Sequence, residues 1–355
     1  MTTPAEDVID IRSLGERGLI DRIRRRLPPP PSSLVVGIGD DAAVMALDRG
    51  ALQVLTTDAL VEGVHFDRRF SSPRDIGYKA LAVNVSDVAA MGGAPRLALL
   101  SLMLPESLSV EVIDGVIDGL VELASATGVT LAGGNITRSP GPLIIDVTVT
   151  GAVKPRRILT RSGGRPGDRL YVTGSIGGGA AGLGWLQEYG VRPGSDPYLR
   201  GSDPGLTPED PLIGECVTRH RRPEPRARIG ALLGRSRAAT ACMDLSDGLA
   251  DAVRQIAEAS GTGATIDASK IPIHPGAARW FASRGRDAVE ASLSGGDDYE
   301  LLFATSNRRR GRVRLVRQQG RGVSITEIGE LTADPALVVK REETSEPMPL
   351  GFVHF

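Results

Sequence analysis

The chain has 355 residues, 41% of them hydrophobic and 24% charged, and 42 basic against 43 acidic side chains leave a net charge of −1. This is ordinary for a globular chain of about two domains, and it lacks the basic excess that would argue for nucleic acid or an anionic membrane surface. No run approaches the ~18 uninterrupted apolar residues of a membrane span, and the acidic start MTTPAEDVIDI is not a secretory signal, so a cytoplasmic protein is expected.

In chain order, Leu19, Ile20, Ile23 and Leu27 recur at helical spacing behind an S-x-x-E capping box (Ser13, Glu16), which predicts a helix over 13–27 ended by Pro28. Strands are expected near 34–38, 43–47 and 52–57. A second helix starts with Ser72 as cap and Pro73 at its first position and runs to about Met91. A buried strand follows at 97–104. Next comes a helix capped by Ser109 and closed by Gly128, then strands near 129–132 and 143–153. The Pro-, Gly- and Arg-rich segment 154–168 reads as a junction, giving domains 1–153 and 154–355. Beyond it the pattern predicts strands at 169–173, 238–243, 264–267, 299–304 and 323–329, with helices from about 178 and at 247–259 and 308–319. Residues 190–211 read as a surface loop. The fold class is therefore two-domain α/β.

Two cysteines, Cys216 and Cys242, make neither a disulfide framework nor a zinc set, and the histidines His65, His220, His274 and His354 lack metal-binding spacing. The only lysines are Lys79, Lys154, Lys270 and Lys340. None ends a GxxxxGK(S/T) string, so a P-loop is excluded. Acids gather instead beside glycine, in GIGDDAAV (37–44), TTDALVEGVHF (56–66), DLSDGL (244–249) and SGGDDYEL (294–301), and Asp87 sits inside the apolar helix ALAVNVSDVAAMGG. A carboxylate there is costly unless hydrogen-bonded or holding a cation. Several short acids at glycine turns suit Mg²⁺, which takes oxygen ligands and completes its shell with phosphate. Each string also has a structural reading: Ser246 or Asp247 as a helix cap, Arg161 as a solvated loop residue, and GSIGGGAAGL (174–183) as tight packing rather than a phosphate-binding helix start.

These strings, together with GERGLIDRIRRRL, YKALAVNVSDVAAMGGAP, LAGGNITR, LTRSGGRPGD and VTGSIGGGAAGL, run nearly end to end in one order. In that order they resemble the thiamine-monophosphate kinase family, within the larger superfamily of aminoimidazole ribonucleotide synthetases. The resemblance implies an ATP- and Mg²⁺-dependent phosphorylation of thiamine monophosphate to thiamine diphosphate; because an acceptor phosphate is already nucleophilic, direct in-line transfer without a phospho-enzyme is expected. It implies an N-terminal domain whose sheet pairs in a homodimer and a C-terminal domain packed beside it. By the same resemblance Asp41, Thr56, Thr57, Asp58, Asp87, Asn135, Asp244 and Asp247 are the metal ligands. Gly134, Asn135, Arg161 and Ser246 contact ATP, and His65 and Asp297 contact the substrate. Asp58, Asp87, Asp247 and Arg161 carry catalysis.

The chain departs from the family pattern in four places. Asn135 replaces an aspartate, Thr127 replaces a tyrosine, and Asp297 replaces a glutamate. Pro349 falls where the tail has an aromatic, with Phe352 or Phe355 as substitutes. Two alternatives are another ATP-dependent synthetase or transferase branch and a non-catalytic nucleotide- or thiamine-phosphate-binding paralogue. TTDALVEGVHF has no lysine and the chain ends in Phe355, not cysteine, which weighs against particular branches.

Overall fold

A computed structural model describes residues 11–38, 42–190, 208–342 and 344–351. The N-terminal half comprises α1 (Ile11–Arg26), the short ribbon β1 (Leu34–Val36) and β2 (Val44–Met45), β3 (Leu52–Val61), α2 (Pro73–Ala90), β4 (Ala94–Pro105), α3 (Val110–Thr127), β5 (Thr130–Ser139) and β6 (Ile144–Val153). Its four-stranded sheet has the order β3-β6-β4-β5. Period-two alternation sorts β6 cleanly. Ile145, Val147, Val149 and Val153 are buried beneath α2 and α3, while Asp146, Thr148 and Thr150 face the opposite, open side. The two helices cross closely because Gly77 and Gly119 lack side chains: a Cβ at Gly77 would lie 1.8 Å from the Val116 carbonyl oxygen, and one at Gly119 1.8 Å from that of Arg74.

The second half comprises β7 (Arg169–Thr173), α4 (Gly178–Tyr189), α5 (Pro211–Arg221), α6 (Ala227–Ser236), β8 (Ala241–Asp244), α7 (Leu249–Ser260), β9 (Gly263–Asp267), α8 (Pro275–Ser283), α9 (Ala288–Ser294), β10 (Leu301–Thr305), α10 (Arg310–Gln319), β11 (Ile325–Thr332), β12 (Leu337–Arg341) and β13 (Thr344–Pro347). Its seven-stranded sheet runs β13-β12-β9-β11-β7-β10-β8, antiparallel except for β12 beside β9. Helix α2 is buried on nearly every side, since it also packs on α6 and β8 of the second half. A helix buried on nearly every side has this use: α2 is the seam between the halves. No helix among the described residues is long and apolar enough to cross a membrane.

The two-part α/β architecture and the caps Ser72 and Gly128 agree with the sequence reading. Other expectations change. The helical path of α1 is interrupted at Gly15 (φ 64°, ψ 175°), only two residues after the expected cap. Helix α7 begins at Leu249 behind Gly248, whose φ of 96° turns the chain, so neither Ser246 nor Asp247 caps it. Helices α5, α6, α8 and α9 and strands β12 and β13 were not expected from the pattern. They are short, and turn-forming residues flank them: Asp210–Pro211 opens α5 and His274–Pro275 opens α8. Residues 191–207 of the expected loop lie outside the described residues.

Candidate active site

Antiparallel pairing brings the acidic strings of the second half to one edge. The ends of β7 and β8 and the start of β10 are neighbours, with Leu301 opposite Asp244 and Leu302 opposite Val172. The DLSDGL and SGGDDYEL loops are then stitched together: the Asp297 N–H donates to the Ser246 carbonyl (2.8 Å) and the Tyr299 N–H to that of Leu245 (2.9 Å). This edge abuts α2. The Ser86 hydroxyl of α2 donates to Asp244 Oδ2 at 2.7 Å, and Asp87 accepts from the Thr56 hydroxyl of β3 at 2.5 Å. Thus Thr56, Asp58, Asp87 and Asp244, remote in sequence, face one another across the seam.

Burial raises all three carboxyls, and repulsion adds to it at Asp58 and Asp244. Burial, then the charges of Asp87 and Asp146, push the Asp58 carboxyl up to about 6. Burial and the Asp87 charge also raise Asp244, and burial raises Asp87 despite the Thr56 hydroxyl and the Arg161 charge. On the same helix, buried Asn84 Oδ1 has no hydrogen-bond partner among the described residues. Such an all-oxygen donor set fits Mg²⁺. Among the described residues no three acidic, imidazole or thiol side chains come together closely enough to hold a metal ion by themselves.

The repulsion gives a testable sign. A carboxyl raised from its usual 3.8 to about 6 favours the fold while protonated, so its contribution is lost as pH rises through that interval. In metal-free buffer at pH 8, Asp58→Asn is therefore expected to melt above the parent chain by the equivalent of ~1 kcal/mol. The difference should vanish near pH 4, and Mg²⁺ should raise the parent's melting temperature more than the variant's. A variant that melts lower at pH 8 without metal contradicts this.

A second group adjoins the first. Lys79, on α2 and only 4% exposed, donates to Asp297 Oδ2 (2.9 Å) and approaches the His65 carbonyl (3.4 Å). It therefore ties together two predicted substrate residues from opposite halves. The Tyr299 hydroxyl donates to Asp297 Oδ1 (3.0 Å). His220 Nδ1 stands 3.2 Å from Oδ2, and burial lowers the imidazole despite the neighbouring carboxylate. Burial alone would raise Asp297, but Lys79 and His220 hold its carboxyl well below the usual range. Asp297 (φ 66°) and Tyr299 (φ 50°) are non-glycine residues in the left-handed region. Such strain persists only where surroundings enforce it, and here Tyr299 is driven into the core of the N-terminal half. Burial, then the charges of Asp297, Asp244 and Asp58, raise the Tyr299 phenol, which marks it as the bridge between the two groups.

Other predicted residues are placed elsewhere. Thr57 alternates with Thr56 and Asp58 along β3, so its hydroxyl reaches Asp146 (3.0 Å) and Thr148 (3.0 Å) on the open face. Asn135 lies on that face too, paired with Ser101, which is paired in turn with Asp146. Gly134 permits the β4–β5 contact, since a Cβ there would lie 1.8 Å from the Leu100 carbonyl oxygen. Ser101, Gly134, Asn135, Asp146 and Thr148 line a cavity of about 1090 Å³ on the open side. Arg161 is exposed and bonds the Gln255 amide oxygen, and Gln255 is itself fixed by Asp251 (2.5 Å). The Ser246 hydroxyl approaches Asp247 at 3.4 Å, and the tail passes beside them: a Cβ at Gly351 would lie 2.8 Å from the Asp247 carbonyl oxygen. Asp41, Phe352 and Phe355 lie outside the described residues.

The glycine-rich start of α4 is already capped, because Asp298 accepts from the N–H groups of Gly177 (2.7 Å) and Gly179 (3.2 Å). This favours packing over phosphate binding there. Cys216, His274 and Glu215 resemble a nucleophilic triad, with Cys216 Sγ 3.3 Å from His274 Nδ1 and Nε2 3.1 Å from Glu215. The thiol is fully buried and pushed up to about 12 by burial, and the same Nδ1 accepts from Gly276 N–H as a cap of α8, so the trio is structural. Sequence reasoning missed Lys79, Tyr299, Gln255 and Asp298 as site residues. The signal for Lys79 was present, because a charge inside an apolar helix needs a partner.

The family model for AIR synthase related protein, N-terminal domain, matches residues 39–153, and that for the C-terminal domain matches residues 165–342. The thiamine-monophosphate kinase of Bacillus subtilis (strain 168) is 38% identical over 278 residues, covering 78% of this chain and 79% of that protein. The crystal structure of thiamine-monophosphate kinase from Stenotrophomonas maltophilia K279a superposes with a TM-score of 0.79 at 33% identity, over 92% of this chain and 96% of that one. A structure described as "AaThiL complexed with AMPPCP and TMP" superposes with a TM-score of 0.72 at 32% identity, over 99% and 100% of the two chains. The chain belongs to the thiamine-monophosphate kinase family, a family of phosphotransferases built from the two AIR synthase related domains.

Proposed function

We propose that the chain acts as a cytoplasmic homodimer that transfers the γ-phosphoryl group of ATP to thiamine monophosphate, yielding thiamine diphosphate and ADP, with Mg²⁺ required. The observation that carries this reading is the meeting of Asp58, Asp87 and Asp244 from both halves beside the Lys79-linked pair His65 and Asp297. The relative described with AMPPCP and TMP supports the choice of substrates. Domains 1–153 and 154–355 each supply part of the site.

Asp58, Asp87 and Asp244 would hold Mg²⁺, which when bound offsets the repulsion between two phosphates. The acceptor phosphate is already anionic, so no side chain need act as nucleophile or strong base. Its oxygen forms the new bond to the γ-phosphorus as the bond to the β-bridging oxygen breaks, and ADP leaves. Arg161, steadied by Gln255, offers a guanidinium to phosphate oxygens. His65 accepts the Val61 N–H on Nδ1 (3.1 Å), which fixes the ring's orientation. Incubation with ATP, Mg²⁺ and thiamine monophosphate should give thiamine diphosphate. Tight binding of both ligands without product would instead leave a binding paralogue.

Lys79→Met should raise the KM for thiamine monophosphate about tenfold while leaving the KM for ATP nearly unchanged, because it frees Asp297 and the His65 loop; the loss corresponds to a charged hydrogen bond. Lys79→Arg should recover part of it. Equal changes in both KM values would assign Lys79 to general stability.

The open sheet face supports the homodimer. Leu55 is 66% exposed there, and Leu99 is exposed on the same face. Large apolar side chains exposed on an uncovered sheet face suit an interface. Leu55→Asp should convert the dimer to a monomer in light scattering, and an unchanged mass would rule this face out.

A further inference from the structure

A second groove, of about 650 Å³, opens beyond the C-terminal end of α2, between the end of β6 and helix α6. Its walls carry Arg49, Arg96, Lys154, Arg157, Arg228 and Arg235 against a single acid, Asp48. That acid is used by Arg96 (3.0 Å). Among the described residues the other cations have no carboxylate partner. Lys154 bonds only the Arg49 carbonyl (2.9 Å), Arg228 only that of Gln319 (2.9 Å), and Arg235 only the Gln319 side-chain oxygen (2.7 Å). The guanidinium groups of Arg49 and Arg157 have no partner among the described residues. In a chain of net charge −1, gathering five uncompensated cations around one concavity is an uneven distribution.

We propose that this groove binds a small, multiply charged phosphate anion of the diphosphate, triphosphate or nucleotide class, at a site separate from the acidic seam. Arginine forks match phosphate oxygens in pairs, and the volume lies in the range of ~300–1,000 Å³ that small ligands occupy. The groove's size, and the ring of arginines and a lysine around it, suit a small anion rather than an extended partner. Its walls come from both halves, so an occupant ties α6 to the 154–157 segment. Two connections lead from there to the seam: Gly92, in the groove wall, lies five residues after Asp87, and Arg157 lies four residues before Arg161.

The test is calorimetric titration of the full chain with inorganic triphosphate, in magnesium-free buffer containing a chelator, at low and high salt. Without metal the acidic seam repels phosphate, so the two sites separate. The expected result is saturable micromolar binding that weakens with salt, falls at least tenfold in Arg157→Glu/Arg235→Glu, and is unchanged in Asp58→Asn. Should that double variant melt early, Arg49→Ser/Arg157→Ser removes the two unpartnered cations and should weaken binding in the same direction. Absence of saturable binding in the parent chain, equal binding in the folded arginine variants, or loss of binding in Asp58→Asn would each overturn the proposal.

Discussion

Asp87→Asn is expected to lower turnover about 1,000-fold while leaving the chain folded. The amide keeps the shape of the carboxylate and can still accept the Thr56 hydroxyl, so the seam should stay packed. What is lost is a negative charge at the point where β3, α2 and β8 meet, beside Asp58 and Asp244. Paired steady-state assays and thermal melts distinguish the cases. Turnover within tenfold of the parent removes Asp87 from catalysis, whereas a collapsed melt would assign it to the fold.

Arg226→Met is expected to cost about 3–5 kcal/mol of stability. Glu300 is 1% exposed and receives both ends of the Arg226 fork, at 2.7 and 2.6 Å, together with the Thr173 hydroxyl at 2.6 Å. Removing the arginine strands a buried carboxylate, which is costly, whereas removing both partners is not. Arg226→Met/Glu300→Leu should therefore lose less than the single variant in denaturant titrations. The pair also stands next to the site, because Glu300 directly follows Tyr299, which with Asp297 has a left-handed backbone. A single-variant loss under 1 kcal/mol would mean that Arg219, 3.7 Å from Glu300, takes over the role.

The short-range part of this site was legible in the sequence and the long-range part was not. Acids beside glycine announced themselves, and Ser72, Pro73 and Gly128 marked their helices because capping is local. The meeting of Asp244 with Asp87 depends on the β7-β10-β8 order, which no local pattern encodes. The division of Thr56 from Thr57 follows from strand periodicity and was available once 52–61 was read as one strand. Lys79 and Asp87 sit on the same apolar helix and pose the same problem of a buried charge. The reasoning applied to the acid would have found the lysine. Asp298, by contrast, looked like one more member of an acidic string, and only its bonds to Gly177 and Gly179 reveal a cap.

The central claim is that acids from both halves support direct transfer between two phosphates. Single-turnover mixing of the protein with γ-labelled ATP, Mg²⁺ and thiamine monophosphate, quenched over time, tests it most directly. The account predicts that label passes from ATP to thiamine diphosphate with none retained on the protein; label trapped on the protein, or released only as inorganic phosphate, would contradict it.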